Sequence, residues 1–293
     1  MPLKDILVHA DNSKNAEIRL EYASQLAKTH KAHLTGLYVK GPNKSGAPSR
    51  GKPNYVVPDL GGRSLKEFEE KSSEVEKLYS EHAQLANAAA KQRFEGLVDE
   101  HGVKHGWIST EGPMMDALTY EARFCDVAVV GQPGPDSARQ FGETVTDHLI
   151  LSVGHPVLVV PTLKEDFTVG KRVLIAWDRS PLATRAVHNS RPFMRHADSV
   201  HILGINLEPE SHGGVPGSGI TEHLARHDIE ATPIHVTGAT DAPADVILSQ
   251  AKKLDIDLII MGAYGHSRLR ERILGGNTYQ LLNHSPVAML MSH

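Results

Sequence analysis

Cysteine is nearly missing from this sequence: Cys125 stands alone among 293 residues. An intrachain disulfide is therefore impossible, and the usage fits a reducing compartment. Long apolar runs are missing too. None approaches the ~18 to 20 residues of a membrane span, and the start, "MPLKDILVHADNS", has no signal-length apolar segment before a charge. We read a soluble, cytoplasmic chain, with no membrane partner. A basic excess is also lacking. The formal charge is -4 and the pI about 6.5, which argues against a dedicated nucleic-acid binder. The eighteen histidines are scattered, with no H-E-x-x-H and no Cys/His ligand spacing. They read as surface residues, and no metal site is expected from them. What is present is a 40% apolar fraction, enough for a core, on a length that suits one large domain or two ordinary ones.

The chain repeats itself. "KDILVHADNS" from Lys4 returns as "KRVLIAWDRS" from Lys171, 167 positions later. "CDVAVVGQPG" from Cys125 matches "IDLIIMGAYG" from Ile256, and "PVLVV" from Pro156 is echoed by "VAMLM" from Val287. Landmarks in the same order indicate a duplication, giving domains 1–163 and 170–293. The unit is far longer than a solenoid repeat. Within each half, short β-branched runs alternate with amphipathic stretches. Strands are predicted at 6–10, 33–39, 105–109, 127–130 and 157–160, then at 173–177, 200–205, 234–236, 258–261 and 287–291. A helix is predicted over 15–30. This is the pattern of buried parallel strands in a doubly wound α/β sheet with helices on both faces, five strands per domain. The halves differ in the middle. Residues 41–62 are rich in Gly, Pro and Ser and read as a loop. Ser64 and Glu67 form a capping-box pattern opening a helix that runs to about Glu100. Such a long helix either packs on its own sheet or covers a partner.

"MGAYGHSRLRERILGGNT", Met261 to Thr278, carries the chemistry. Gly262 follows a predicted strand, where backbone N–H groups can approach a phosphate with no Cβ in the way. Gly275, Gly276, Asn277 and Thr278 open the next helix, whose first N–H groups favour an anion. His266 and Arg268 can add charge, and Thr278 a hydroxyl. Asp178 ends the first strand of the same half, on the same sheet edge, where ligands of open α/β sheets bind. Its carboxylate can accept from a ribose hydroxyl or an adenine amine.

The spacing G-x2-G-x9-G resembles the ATP-binding motif of universal stress proteins. The apolar first strand ending in Asp-x-Ser, the "DLIIMGAYGHSRLRE" segment and the final apolar strand agree. Since the likeness covers both halves, the whole chain resembles a tandem universal stress protein. The resemblance implies two Rossmann-like, adenine nucleotide α-hydrolase-like domains and a bound ATP, AMP or ADP, with Mg2+ carried by the nucleotide. It further implies that Asp178 meets the nucleoside and that Ala176, Trp177 and Ile205 border the adenine. Met261, Gly262, Gly265, Gly275, Gly276 and Asn277 would line the phosphates, with His266 and Arg268 nearby. One departure is Gly276, where the family usually has Ser or Thr. The family's closing strands pair between subunits, so a pseudo-dimer within this chain and a homodimer of chains are both implied, in a stress sensor or regulator rather than an enzyme.

The first half departs further. "GQPGPDSARQFGET" keeps Gly131 and Gly134 but shortens the gap to Gly142, adds Pro133 and Pro135, and brings in Asp136 and Glu143. We read it as a degenerate site, with Asp11 retained and Thr144 where the family's hydroxyl stands. Two other readings stay open: a slow ATPase, or an interaction module with no working site. An ATP pyrophosphatase or adenylyl transferase would carry Ser-Gly-Gly-x-Asp or His-x-Gly-His after the first strand. Here "ADNSKN" and "WDRSPL" stand there.

Overall fold

The computed structural model describes residues 2–40, 65–133, 144–162, 168–209, 216–265 and 276–293; in the helix beginning at Leu65, side chains are described at 78 and from 80 onward. The 41–62 loop, the Ser64 and Glu67 side chains, residues 134–143 with Gly134, Pro135, Asp136, Gly142 and Glu143, and His266, Arg268 and Gly275 lie outside the described residues.

The first half runs β1 (Asp5–His9), α1 (Ala16–His30), β2 (His33–Lys40), α2 (Leu65–His101), β3 (His105–Glu111), α3 (Met114–Ala122), β4 (Val127–Gly131), α4 (Val145–Ser152) and β5 (Val157–Val160). The second runs β6 (Arg172–Ala176), α5 (Pro181–Met194), β7 (Ser199–Ile205), α6 (Ser218–Ala225), β8 (Thr232–Val236), α7 (Pro243–Lys253), β9 (Leu258–Gly262), α8 (Asn277–His284) and β10 (Ala288–Ser292). Local chemistry sets the ends. Ser180 caps α5 by accepting from the Ala183 N–H at 3.1 Å, and Pro181 supplies its first helical residue. Lys31 closes α1 in the left-handed region at φ 53°.

Among the described residues ten strands lie in one sheet, in the order β3-β2-β1-β4-β5-β10-β9-β6-β7-β8. Neighbours within each half are parallel, and β5 and β10 are antiparallel, with Leu158 opposite Leu290. The sequence reading gave each half five parallel strands, with the closing strands as apolar edges open to pairing. Those edges are joined, because an unpaired apolar edge such as Val157–Val160 gains a full ladder by pairing. The pairing is the intrachain pseudo-dimer that the resemblance implied. Two cores follow, one on each face, and each runs through both halves. Tyr22, Phe94 and Phe193 belong to one, Leu118, Leu149 and Leu281 to the other. Strands buried on both faces explain the unbroken apolar runs.

The long helix reaches His101. Its last third packs inward through Ala90, Phe94 and Val98, while Leu78 and Leu85, seven residues apart, are exposed. The histidines depart from expectation: His9 and His30 are buried. His30 sits edge-on to His196 and Phe193 of the other half, at 4.8 and 5.8 Å between ring centroids. Scattered spacing carries no burial information for a residue that is half apolar.

Two corners of one sheet as candidate functional sites

Each half reverses its strand order once. In the first half β1 lies between β2 and β4; in the second β6 lies between β7 and β9. Loops leaving the carboxyl ends of these central strands diverge, and a crevice opens at each reversal. The second corner is open. A cavity of about 250 Å³ is lined by Ala176, Trp177 and Asp178 after β6, Ser180, Leu182 and Ala183 of the following cap and helix, Leu203 and Ile205 of β7, Pro243 and Ile247 of α7, Met261, Gly262 and Gly265, and Asn277 and Thr278 of α8. Ten of the thirteen residues singled out in the sequence therefore bear on the described site: nine line the cavity and Gly276 caps α8 beside it. His266, Arg268 and Gly275 lie outside the described residues.

The cavity has an apolar end and a polar end. Leu203, Ile205, Pro243 and Ile247 form a wall that suits a flat ring. Asp178 is exposed at the mouth; its Oδ1 accepts from the Ser180 N–H at 2.9 Å, and its second oxygen has no hydrogen bond among the described residues. At the polar end α8 begins at Gly276 with no side-chain cap, so its first N–H groups have no partner from its own turn. The Thr278 hydroxyl is buried and accepts from the Tyr264 N–H at 3.3 Å. Asn277 Oδ1 accepts from the Ala244 N–H at 3.3 Å and fastens α8 to the start of α7. That leaves Asn277 its backbone N–H to offer an anion.

Gly262 lines the cavity and also has a packing role that its spacing did not suggest. A Cβ there would stand 2.7 Å from the Ala183 nitrogen and 2.7 Å from the Leu182 carbonyl carbon. The glycine lets the first turn of α5 lie against β9; it is a packing requirement before it is a phosphate contact. A Cβ on Gly265 would meet only Leu182 Cδ1, at 3.6 Å.

The first corner is filled by its own side chains. Arg19, buried in α1, donates from Nε to the His9 carbonyl at 2.5 Å and pairs through Nη2 with Asp11 Oδ1 at 2.9 Å. A Cβ on Gly131 would lie 2.8 Å from Arg19 Nη1, so the guanidinium occupies the space beside the β4 glycine. The long helix closes over it: Asn12 Nδ2 donates to the Ala86 carbonyl at 2.8 Å and Arg93 Nη1 to the Asp11 carbonyl at 3.3 Å. The start of α4 is self-capped. Thr144 Oγ1 accepts from the Asp147 N–H at 3.2 Å, while Asp147 Oδ2 accepts from the Thr144 N–H at 2.9 Å and its hydroxyl at 2.8 Å. Electrostatics agree. Burial alone would raise the Asp11 carboxyl, but Arg19, His9 and hydrogen bonds from Ser13 outweigh it and hold it at about 2. Burial and then Arg19 push His9 down to about 4, so its ring is neutral near pH 7.

Sequence reasoning missed Arg19, which decides the fate of the first corner. The repeat held the signal: the 167-residue offset that superimposes Asp11 on Asp178 sets Arg19 against Ala186. Also missed as lining residues were Ser180, which closes the Asp-x-Ser pattern, and Leu182, Ala183, Leu203, Pro243 and Ile247, which belong to no motif. Among the described residues no cluster of three or more His, Cys, Asp or Glu could hold a metal ion, and no helix is long and apolar enough to cross a membrane. Burial pushes the Cys125 thiol up to about 12, which makes it a poor nucleophile.

The universal stress protein family model matches residues 2–161 and again 170–293. Universal stress protein Slr1230 of Synechocystis is 24% identical over 98% of this chain and 99% of its own length. A universal stress protein from Archaeoglobus fulgidus shares the fold with a TM-score of 0.69 at 16% identity, over 98% of this chain and 97% of that one. One from Pseudomonas aeruginosa, described as putative, does so with a TM-score of 0.59 at 14% identity, over 99% and 93%.

Proposed function

Since the chain belongs to the universal stress protein family, we propose that it binds one adenine nucleotide, in the open corner of its second half, and acts as a nucleotide-dependent sensor or regulator. The observation that carries this reading is the contrast at the two α-helix starts. Carboxylate and guanidinium groups fill the first corner, whereas the second combines an apolar slot, a strand-end aspartate and an uncapped helix N-terminus around one cavity. That donor set fits a nucleotide: the wall of Ile205, Pro243 and Ile247 for the base, Asp178 for a ribose hydroxyl or base amine, and the N–H groups of Gly276 to Thr278 for phosphate oxygens. Mg2+ would arrive with the triphosphate.

Backbone N–H groups bind ground-state and transition-state phosphate alike, and uniform binding does not raise a chemical rate. Among the described cavity-lining residues the one carboxylate is Asp178, at the end of β6 beside β9, where one oxygen is held in a turn by the Ser180 N–H and where we assign it to the nucleoside; His266 lies outside the described residues. Hydrolysis is therefore slow, and the ATP and ADP forms are the two signalling states. The proposal includes a homodimer of chains, with the exposed Leu78 and Leu85 of α2 as one face for it, measurable by light scattering.

Calorimetry with MgATP tests the reading. One site per chain is expected, with affinity lost in Asp178→Ala by about tenfold or more, the scale of a charge-assisted hydrogen bond. Two equal sites, or none, would overturn it. Mass spectrometry of the denatured protein should release ATP, ADP or AMP if the nucleotide is retained through purification.

A further inference from the structure

Tyr264 lies between the two cavity-lining glycines, Gly262 and Gly265, and its backbone is in the left-handed region at φ 61°. A bulky residue rarely takes that conformation unless its surroundings hold it there. Two contacts do. Its N–H donates to Thr278 Oγ1 at 3.3 Å, at the phosphate end of the cavity. Its phenol leaves the cavity and donates to Asp147 Oδ1 at 2.5 Å, in the first turn of α4, across the boundary between the halves. The other oxygen of that carboxylate is engaged by the Thr144 N–H and hydroxyl, which fix its position.

We propose that Tyr264 is a positioning residue through which α4 of the first half sets the backbone of residues 263–265, beside the cavity of the second. The geometry is one-sided. Pro133 occupies the place in the first half that Tyr264 occupies in the second, and it has no hydroxyl to reach α8. Gln132 does cross the seam, donating to the Ser285 carbonyl at 3.1 Å, but to the far end of α8 and away from either helix start. The filled half therefore has a structural task toward the open one: its capping box is the anchor for the other half's loop. Coupling of this kind is reciprocal, so a ligand that tightens the loop also tightens the first turn of α4. Nothing in the α4 end of the link requires a ligand; the consequence for affinity rests on the nucleotide reading above.

The test uses the full chain and two substitutions, Tyr264→Phe and Asp147→Asn, with hydrogen exchange read first in the absence of nucleotide. Asp147→Asn should speed exchange at residues 263–265, and Tyr264→Phe at residues 145–148, each in the half that was not altered. The double variant should show no further effect on either segment. If each substitution changes only its own half, the proposal is wrong, whatever the protein binds. MgATP is then added. In wild type it should slow exchange at 145–148; in Tyr264→Phe that response should vanish and the affinity fall about fivefold or more, the lower scale of measured couplings. Unchanged affinity in Tyr264→Phe beside a binding wild type would overturn the positioning role. A wild type that binds no MgATP would overturn the nucleotide reading alone, while the exchange results without nucleotide decide the link.

Discussion

The two corners start from the same blueprint and end in opposite states. Both have a strand-end aspartate, Asp11 or Asp178, followed two residues later by Ser13 or Ser180, whose N–H donates back to the carboxylate at 2.9 Å. Both end the second strand of the crevice in a glycine, Gly131 or Gly262. They part at α1 and α5. Arg19 in the first half extends into the corner and neutralises Asp11; its counterpart by the repeat, Ala186, is buried against the core and leaves the corner empty. They part again at α4 and α8, where Thr144 and Asp147 satisfy one helix start and Gly276 leaves the other open. A duplicated fold can thus divide its labour by a few side chains, turning one ligand crevice into a self-contained salt-bridge network.

Exchanging the deciding residues is the strongest way to break this comparison. Ala186→Arg should abolish nucleotide binding, because a guanidinium at that place would reach Asp178 as Arg19 reaches Asp11. Retained affinity with the fold intact by circular dichroism would refute the equivalence. The reciprocal Arg19→Ala removes the buried partner of an ion pair whose carboxylate is partly exposed. It should destabilise the protein by about 2–3 kcal/mol in chemical denaturation, since Asp11 loses its countercharge but keeps Ser13 and partial contact with solvent. A loss below about 1 kcal/mol, the scale of an exposed pair, would mean that water replaces the guanidinium and that the corner is not truly filled.

The glycines sharpen the same contrast with a smaller effect. Gly262→Val drives atoms into the backbone of α5, so the expected result is overpacking of about 1–3 kcal/mol or more, with binding lost as a consequence. Gly265→Ala has room and should keep wild-type stability. Measuring melting temperature and MgATP affinity for both separates packing from ligand contact. A Gly262→Val protein as stable as wild type would contradict the 2.7 Å approach.

Much of this was legible in the sequence, for identifiable reasons. Buried parallel strands must be apolar on both faces, so β1, β5 and β9 announce themselves as unbroken runs. The duplication fixed which loops share a corner, and Asp178, Gly262 and Thr278 could be placed together before any coordinates. The sequence was silent wherever the decisive contact joined residues distant along the chain. Arg19 reads as one basic residue on an amphipathic helix; only the fold puts it beside Gly131. Asp147 and Tyr264 are 117 positions apart. Burial of His9 and His30 was equally hidden, because a histidine is accommodated neutral inside a core without any local pattern.

Those histidines give the last and smallest prediction. Burial pushes His9 and His30 each down to about 4 from the usual 6.5, with Arg19 adding to the first and His196 to the second. The folded protein therefore resists protonation that the unfolded chain accepts. Their contribution is whole above pH 6.5 and is lost as pH falls toward 4, where folded and unfolded states bind protons alike. Asp11 acts lower down: held at about 2, it contributes above pH 3.8 and loses that contribution as pH falls through 2. His9 faces Arg19 and Asp11 in the first corner, whereas His30 faces His196 and Phe193 between the halves. Melting temperature followed from pH 7.5 to 4.5 should decline throughout, by an amount that corresponds to about 1–3 kcal/mol per histidine. His9→Gln should flatten the part that belongs to the filled corner, and His30→Gln the part that belongs to the seam. None of the described residues lining the Asp178 corner is a histidine, so the slope divides between the filled corner and the seam. A pH slope that survives both substitutions would place the proton uptake elsewhere and remove this difference between the corners.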